Sequence, residues 1–217
     1  MKNLKGIIFD LGGTLIYSNH DHFESANAWM VASFLRSRGY PLDPEVFAQR
    51  LVRLRQVSPK GSEDFRQIYT TSENLVQVAK EFSISLSGEF LFQCEKVFVT
   101  PEVQGSMLLP NIRHVNKELS QHYRLGLISN TRSHVLVTDT LKATGLTSYF
   151  DHVVTSVSSG YRKPSPKVFQ AVLDSWQFLA HEVVMIGDSL SNDIAAAKAL
   201  GMKTVWLTTD TTESGPA

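Results

Sequence analysis

The chain has a single cysteine, Cys94, in 217 residues, so no disulfide can close within it and its fold does not depend on oxidation. Cys94 falls among Phe90, Leu91, Val97 and Phe98 in a helix-like stretch, where a free cysteine behaves as a small buried hydrophobe. Net charge is also absent: Lys plus Arg and Asp plus Glu stand at 21 each, which removes the electrostatic reason to expect nucleic acid or an anionic membrane as partner. No apolar run approaches the roughly 20 residues that a membrane helix needs. No apolar h-region with an A-x-A-like site opens the sequence, so the expected location is cytoplasmic. Hydrophobic residues at 42% and charged residues at 19% describe an ordinary globular protein, and the length fits one large domain or a core carrying an insert.

What is present is an alternation. Gly6-Ile7-Ile8-Phe9 is a short apolar, β-branched run that ends at Asp10 and two glycines, as a buried strand feeding a tight loop would. Tyr123–Ser129, His152–Ser156, Val183–Ile186 and Lys203–Leu207 read the same way. Helical patterns over Asn111–His122, Ser133–Thr144 (with Gly145 as C-cap), Ser165-Pro166 onward and Ser191–Leu200 separate them. Strands alternating with helices predict an α/β fold, a Rossmann-like parallel sheet with helices on both faces. In such sheets ligands bind beyond the carboxyl ends of the strands, where Asp10, Ser129 and Asp188 would stand.

The stretch from about Ile16 to Thr100 has helix patterns and no convincing strand: His22–Arg38, Pro44–Val57 (with Asp43 as N-cap and Pro44 at the first helical position), Thr71–Phe82 and Ser87–Val99. Pro101 and Gly105 are expected to mark a return hinge. The predicted organisation is a core of residues 1–15 and 105–217 and a small all-helical domain of residues 16–104.

Four clusters carry the chemistry. In Phe9-Asp10-Leu11-Gly12-Gly13-Thr14-Leu15, an aspartate at a strand end can act as a nucleophile, and adjacent glycines let backbone N–H groups approach an anion. The same residues also describe a plain glycine turn. In Leu127-Ile128-Ser129-Asn130-Thr131, a hydroxyl and an amide at a strand tip can donate to a phosphoryl oxygen, although Ser-Asn is also turn chemistry. Lys163, beside Pro164, can neutralise charge on a transferred group, or can simply precede a helix. Asp188 and Asp193, five residues apart after a buried strand, can hold a hard cation such as Mg2+ through oxygen ligands.

Taken in order, the four clusters resemble the motifs of the haloacid dehalogenase superfamily. Asp10-Leu11-Gly12-Gly13-Thr14-Leu15 matches the first, Ser129 the second, Lys163-Pro164 the third, and Gly187-Asp188-Ser189 with Asn192-Asp193 the fourth. The helical insert after the first motif is similar to that family's C1-type cap. The resemblance implies a hydrolase in which Asp10 attacks the substrate and Mg2+ is held by Asp10, the Gly12 carbonyl and Asp188. It further implies that Asp193 supports the metal or orients Lys163, that Ser129, Asn130 and the Gly12-Gly13 backbone hold phosphate oxygens, and that Thr14 braces the loop. The implied substrate is a small phosphorylated molecule, and the implied assembly a monomer or homodimer.

One position departs from the pattern. Phosphatases of this family usually carry a second aspartate two residues after the nucleophile, as general acid; here that position is Gly12. His20, Asp21 and His22, shortly after the loop, are candidates to replace it. The 2-haloacid dehalogenases also lack that aspartate, but work without metal and carry serine and asparagine where this chain has Asp188. Phosphonoacetaldehyde-type hydrolases lack it too, yet need a Schiff-base lysine, for which Lys60 is the cap candidate. A non-catalytic phosphate-binding descendant is the alternative from outside enzymology.

Overall fold

The computed structural model describes residues 3–17, 20–57, 64–66 and 69–208. Five strands, β1 (Gly6–Phe9), β2 (Arg124–Ser129), β3 (His152–Thr155), β4 (Val183–Gly187) and β5 (Lys203–Trp206), form one sheet in the order β3-β2-β1-β4-β5. All four pairings are parallel. Their side chains alternate between two cores. Ile7 and Phe9 join Leu125, Leu127 and Val184 on one face, under α5 (Ile112–Ser120) and α6 (His134–Ala143). Ile8, Ile128, Val183 and Met185 pack on the other, against α8 (Pro166–Trp176) and α9 (Ala196–Ala199). Burial on both faces is why these strands read as continuous apolar runs. A short helix, α7 (Ser156–Ser159), follows β3.

Between β1 and α5 come four helices with a core of their own: α1 (His20–Ser37), α2 (Pro44–Val57), α3 (Thr71–Glu81) and α4 (Gly88–Gly105). Asp43 caps α2 as expected, its Oδ1 accepting from the N–H groups of Glu45 (2.8 Å) and Val46 (3.2 Å). Cys94 is fully buried in this core, and burial pushes its thiol up to about 11, which keeps it protonated. Among the described residues no helix is long and apolar enough to cross a membrane.

Two expectations are corrected. Pro101 does not mark a hinge; it lies inside α4, which continues to Gly105. The apolar stripe Phe98, Val99, Val103 persists across the proline, and Glu102 accepts from Asn27 Nδ2 of α1 (3.1 Å), so packing holds the helix where propensity would end it. The helix expected over Ser191–Leu200 is in fact a wider π-helical turn, Leu190–Ala195, followed by α9. The wide turn lets Ser189 O accept from both Asp193 N (2.9 Å) and Ile194 N (3.3 Å).

Candidate active site

The tips of three adjacent strands supply the centre of the site. Asp10 follows β1, its backbone N–H donating to Ile186 O of β4 at 2.9 Å. Ser129 ends β2, and Asp188 follows β4. Lys163 arrives from the segment between α7 and α8, preceding a cis peptide bond to Pro164. Asp193 arrives from the π turn, folded back so that its Oδ2 accepts from Ser189 N (3.1 Å). Gly187 makes this return possible, since a Cβ there would lie 2.4 Å from the Asp193 carboxylate.

Lys163 Nζ donates to Asp10 Oδ1 and to Ile128 O (3.0 Å), and forms an ion pair with Asp193 Oδ1 (2.7 Å). Burial works against its charge, but Asp10 and Asp193 outweigh burial and raise its pKa, so it is an ammonium. Burial, with help from Asp193 and Asp188, raises Asp10 to about 6 against the pull of Lys163. Asp188, the exposed member of the group, is raised by partial desolvation and then by Asp193. Asp10, Asp188 and Asp193 can each place an oxygen within 4.8 Å of the others. Three carboxylates against one ammonium leave a net charge of −2 (−3 + 1), which one divalent cation would balance. The all-oxygen donor set suits a hard ion such as Mg2+.

Gly13 has φ +79°, and a Cβ on it would lie 2.2 Å from Asp188 Oδ2. Both the backbone conformation and the approach of the carboxylate require glycine. Gly13→Ala is therefore expected to destabilise the fold by about 2 kcal/mol or more, measured as a lower urea midpoint at unchanged m-value.

Several residues expected at the phosphate also have partners within the protein. The Gly13 N–H is donated to Ile16 O (2.8 Å), closing the loop on itself. Both ends of the Asn130 amide bracket Lys163: its Oδ1 accepts from Lys163 N (2.8 Å) and its Nδ2 donates to Lys163 O (2.9 Å). Thr14 is buried, with its N–H on Leu11 O (3.4 Å), so any bracing of the loop runs through its backbone. Ser129 is buried at the β2 tip, and Gly12 stands between Asp10 and Gly13. The side chains of His20 and Asp21, and the whole of Lys60, lie outside the described residues.

A feature absent from the sequence reading is a set of guanidinium groups at the seam between the helical unit and the sheet. Arg132, three residues past Ser129, donates from Nη1 to Arg55 O (2.8 Å). Its pKa is lowered by burial and then by the charges of Arg55 and Arg162, with Glu24 opposing. Arg162 directly precedes Lys163 and is also lowered by burial. No spacing rule would have joined Arg55, Arg132 and Arg162; only the fold does.

Residues 4–201 match the sequence profile of the haloacid dehalogenase-like hydrolases. A glyceraldehyde 3-phosphate phosphatase of Pyrococcus abyssi is 29% identical over 204 residues, covering 94% of this chain and 81% of that protein. A phosphoglycolate phosphatase of Vibrio cholerae is 30% identical over 209 residues, covering 96% and 86%. Among solved structures, a 2-haloacid dehalogenase of Pseudomonas syringae pv. tomato superposes with a TM-score of 0.66 at 22% identity, covering 94% of this chain and 86% of the other.

Proposed function

Because this chain belongs to the haloacid dehalogenase-like hydrolase family, we propose that it is a Mg2+-dependent phosphatase that hydrolyses a small phosphomonoester through Asp10. The observation that carries this reading is the retained acid at Asp188, within reach of Asp10 and Asp193 and leaving a surplus of negative charge that a divalent cation would balance. Asp10, the Gly12 carbonyl and Asp188 would hold the ion. When bound, it would offset the charge of the phosphoryl group and keep nucleophile and phosphate from repelling each other. The phosphatase names of the two relatives support the same substrate class.

The residues of the chain divide the work as follows. The Asp10 carboxylate attacks phosphorus; the bond from phosphorus to the ester oxygen breaks, and the oxygen leaves with its electron pair and takes a proton from solvent water. Water then attacks the phosphorus of the aspartyl phosphate, releasing inorganic phosphate and restoring the Asp10 carboxylate. Lys163 neutralises charge beside both groups, held in register by the Asn130 bracket on its backbone. Asp193 fixes the ammonium from the other side. Ser129 donates to a phosphoryl oxygen. Residues 1–15 and 105–217 act as the catalytic core, and residues 16–104 as a cap that shields it from water.

Gly12 supplies no acid for the departing alkoxide, so leaving groups that need no proton should react far faster. Acetyl phosphate and p-nitrophenyl phosphate should be hydrolysed well, and alkyl phosphates poorly. Among the described residues Gly12 is not one of the glycines with positive φ, so its backbone conformation does not itself require glycine. Gly12→Asp is expected to raise kcat on alkyl phosphates by up to about 10²-fold while changing acetyl phosphate little, a comparison read by phosphate release.

Gly12, together with the shared fold, favours a second reading as a 2-haloacid dehalogenase. That reading leaves Asp188 facing Asp10 with no cation, which is electrostatically unfavourable. Incubation with p-nitrophenyl phosphate and acetyl phosphate, with Mg2+ or with chelator, separates the two. Mg2+-dependent phosphate release absent from Asp10→Asn supports the phosphatase. Halide release from a 2-haloacid without added metal, and no phosphate release, would replace it by the dehalogenase.

A further inference from the structure

Glu95 is a carboxylate only 9% exposed, on α4 of the helical unit, and among the described residues its oxygens accept from hydroxyls and pair with no cation. Oε2 accepts from Ser72 on α3, within the same unit. Oε1 accepts from Ser133 at 2.6 Å, and Ser133 belongs to the other unit, four residues past Ser129. The Ser133 hydroxyl also accepts from Leu136 N (3.1 Å), which makes it the N-cap of α6. Two further bonds cross at the same place: Thr71 N donates to Arg132 O (2.7 Å), and Arg132 Nη1 to Arg55 O (2.8 Å). The segment from Ser129 to Ser133 is thus held by the ends of α2 and α3 and by the middle of α4.

Burying a carboxylate without a paired cation is unfavourable, and an apolar side chain at position 95 would fill the seam at less cost. What the carboxylate adds is geometry, since two oxygens with fixed directions admit one seating of the helices on the Ser129 segment. We propose that Glu95 is a positioning residue that latches the helical unit to this segment, so that Ser129 is set for phosphate when the unit is seated. The inference rests on the phosphatase reading for its effect on turnover, but not for the latch itself.

Glu95→Ala and Glu95→Gln test it, with amide hydrogen exchange measured on the peptides containing Thr71 and Leu136, and inhibition by inorganic phosphate measured alongside. Glu95→Ala is expected to speed exchange at both amides about tenfold or more, against little change in the sheet. It should also raise KM and the inhibition constant for inorganic phosphate by a similar factor, with kcat affected less. Glu95→Gln, which keeps the shape and one acceptor, should show smaller changes in the same directions. Exchange unchanged at Thr71, or raised uniformly along the chain with KM unaltered, would overturn the latch and leave Glu95 a general stabiliser. If Glu95→Ala does not fold, Ser72→Ala carries the test at Thr71, where faster exchange and a raised KM are expected while Leu136 stays protected, since Ser133 still caps α6; exchange unchanged at Thr71 would again overturn the latch. If the wild-type protein releases no phosphate from any ester, the functional reading fails, and the exchange data still decide the latch.

Discussion

Asp10→Asn is expected to lower Mg2+-dependent hydrolysis of p-nitrophenyl phosphate by on the order of 10⁴-fold or more while leaving the protein folded. The size follows from the role, since an amide cannot form the covalent intermediate and the remaining groups only bind and orient. The fold should survive for a specific reason. Burial already disfavours the charge on Asp10, raising it to about 6, so replacing the carboxylate by a neutral isostere removes a strained charge along with a favourable pair. Lys163 keeps Asp193 at 2.7 Å and Ile128 O at 3.0 Å. The urea midpoint should therefore move little, and the lost turnover can be assigned to chemistry.

Lys163→Met is expected to do the opposite, damaging stability as severely as activity. Removing the ammonium leaves Asp10 and Asp193 buried without their shared partner, a situation that costs about 3–5 kcal/mol when one member of a buried ion pair is deleted. The loss should depend on pH in a defined sense. Without Lys163, Asp10 loses the charge that pulls it down and is raised further above its unfolded value, so the native state binds more protons than the unfolded chain over that window. Stability then falls as pH rises through it, and is recovered toward lower pH where Asp10 is protonated. Urea midpoints of Lys163→Met and wild type should converge as the pH is lowered from 8 to about 5. Added Mg2+ should restore part of the gap at pH 8, since a divalent ion offsets the same carboxylates. A gap independent of both pH and Mg2+ would mean that Lys163 contributes packing rather than charge.

Much of the sheet was legible because buried parallel strands are continuous apolar runs, and each run stopped at a polar residue that became a strand tip. The ends of α2 were legible because Asp43 and Pro44 act locally, through backbone groups two and three residues away. What escaped was long-range. Asn130 reads as a phosphate donor, and nothing local shows that both ends of its amide also bond to the backbone of Lys163, 33 residues on. Asp193 is expected beside the metal or Lys163, but its route there is not legible, because nothing in an alanine-rich stretch distinguishes a π turn. The wide turn becomes explicable only with Gly187 and Lys163 in place. Pro101 reads as a stop, since local propensity says so and the packing of α4 against α1 does not show in a one-dimensional pattern. Nothing in the sequence singles out Arg132 or Glu95, yet both are drawn into the seam by partners tens of residues away.

The central claim is that Asp10 becomes covalently phosphorylated. Its most direct test is reductive trapping: the enzyme is mixed with Mg2+ and acetyl phosphate, quenched with borohydride, digested, and the peptide containing Asp10 is examined by mass spectrometry. An aspartyl phosphate is reduced to homoserine, so homoserine at position 10, dependent on Mg2+ and on the phosphate donor, is the predicted result. Steady release of phosphate with an unmodified Asp10 peptide, under conditions that trap an acyl phosphate standard, would contradict the account.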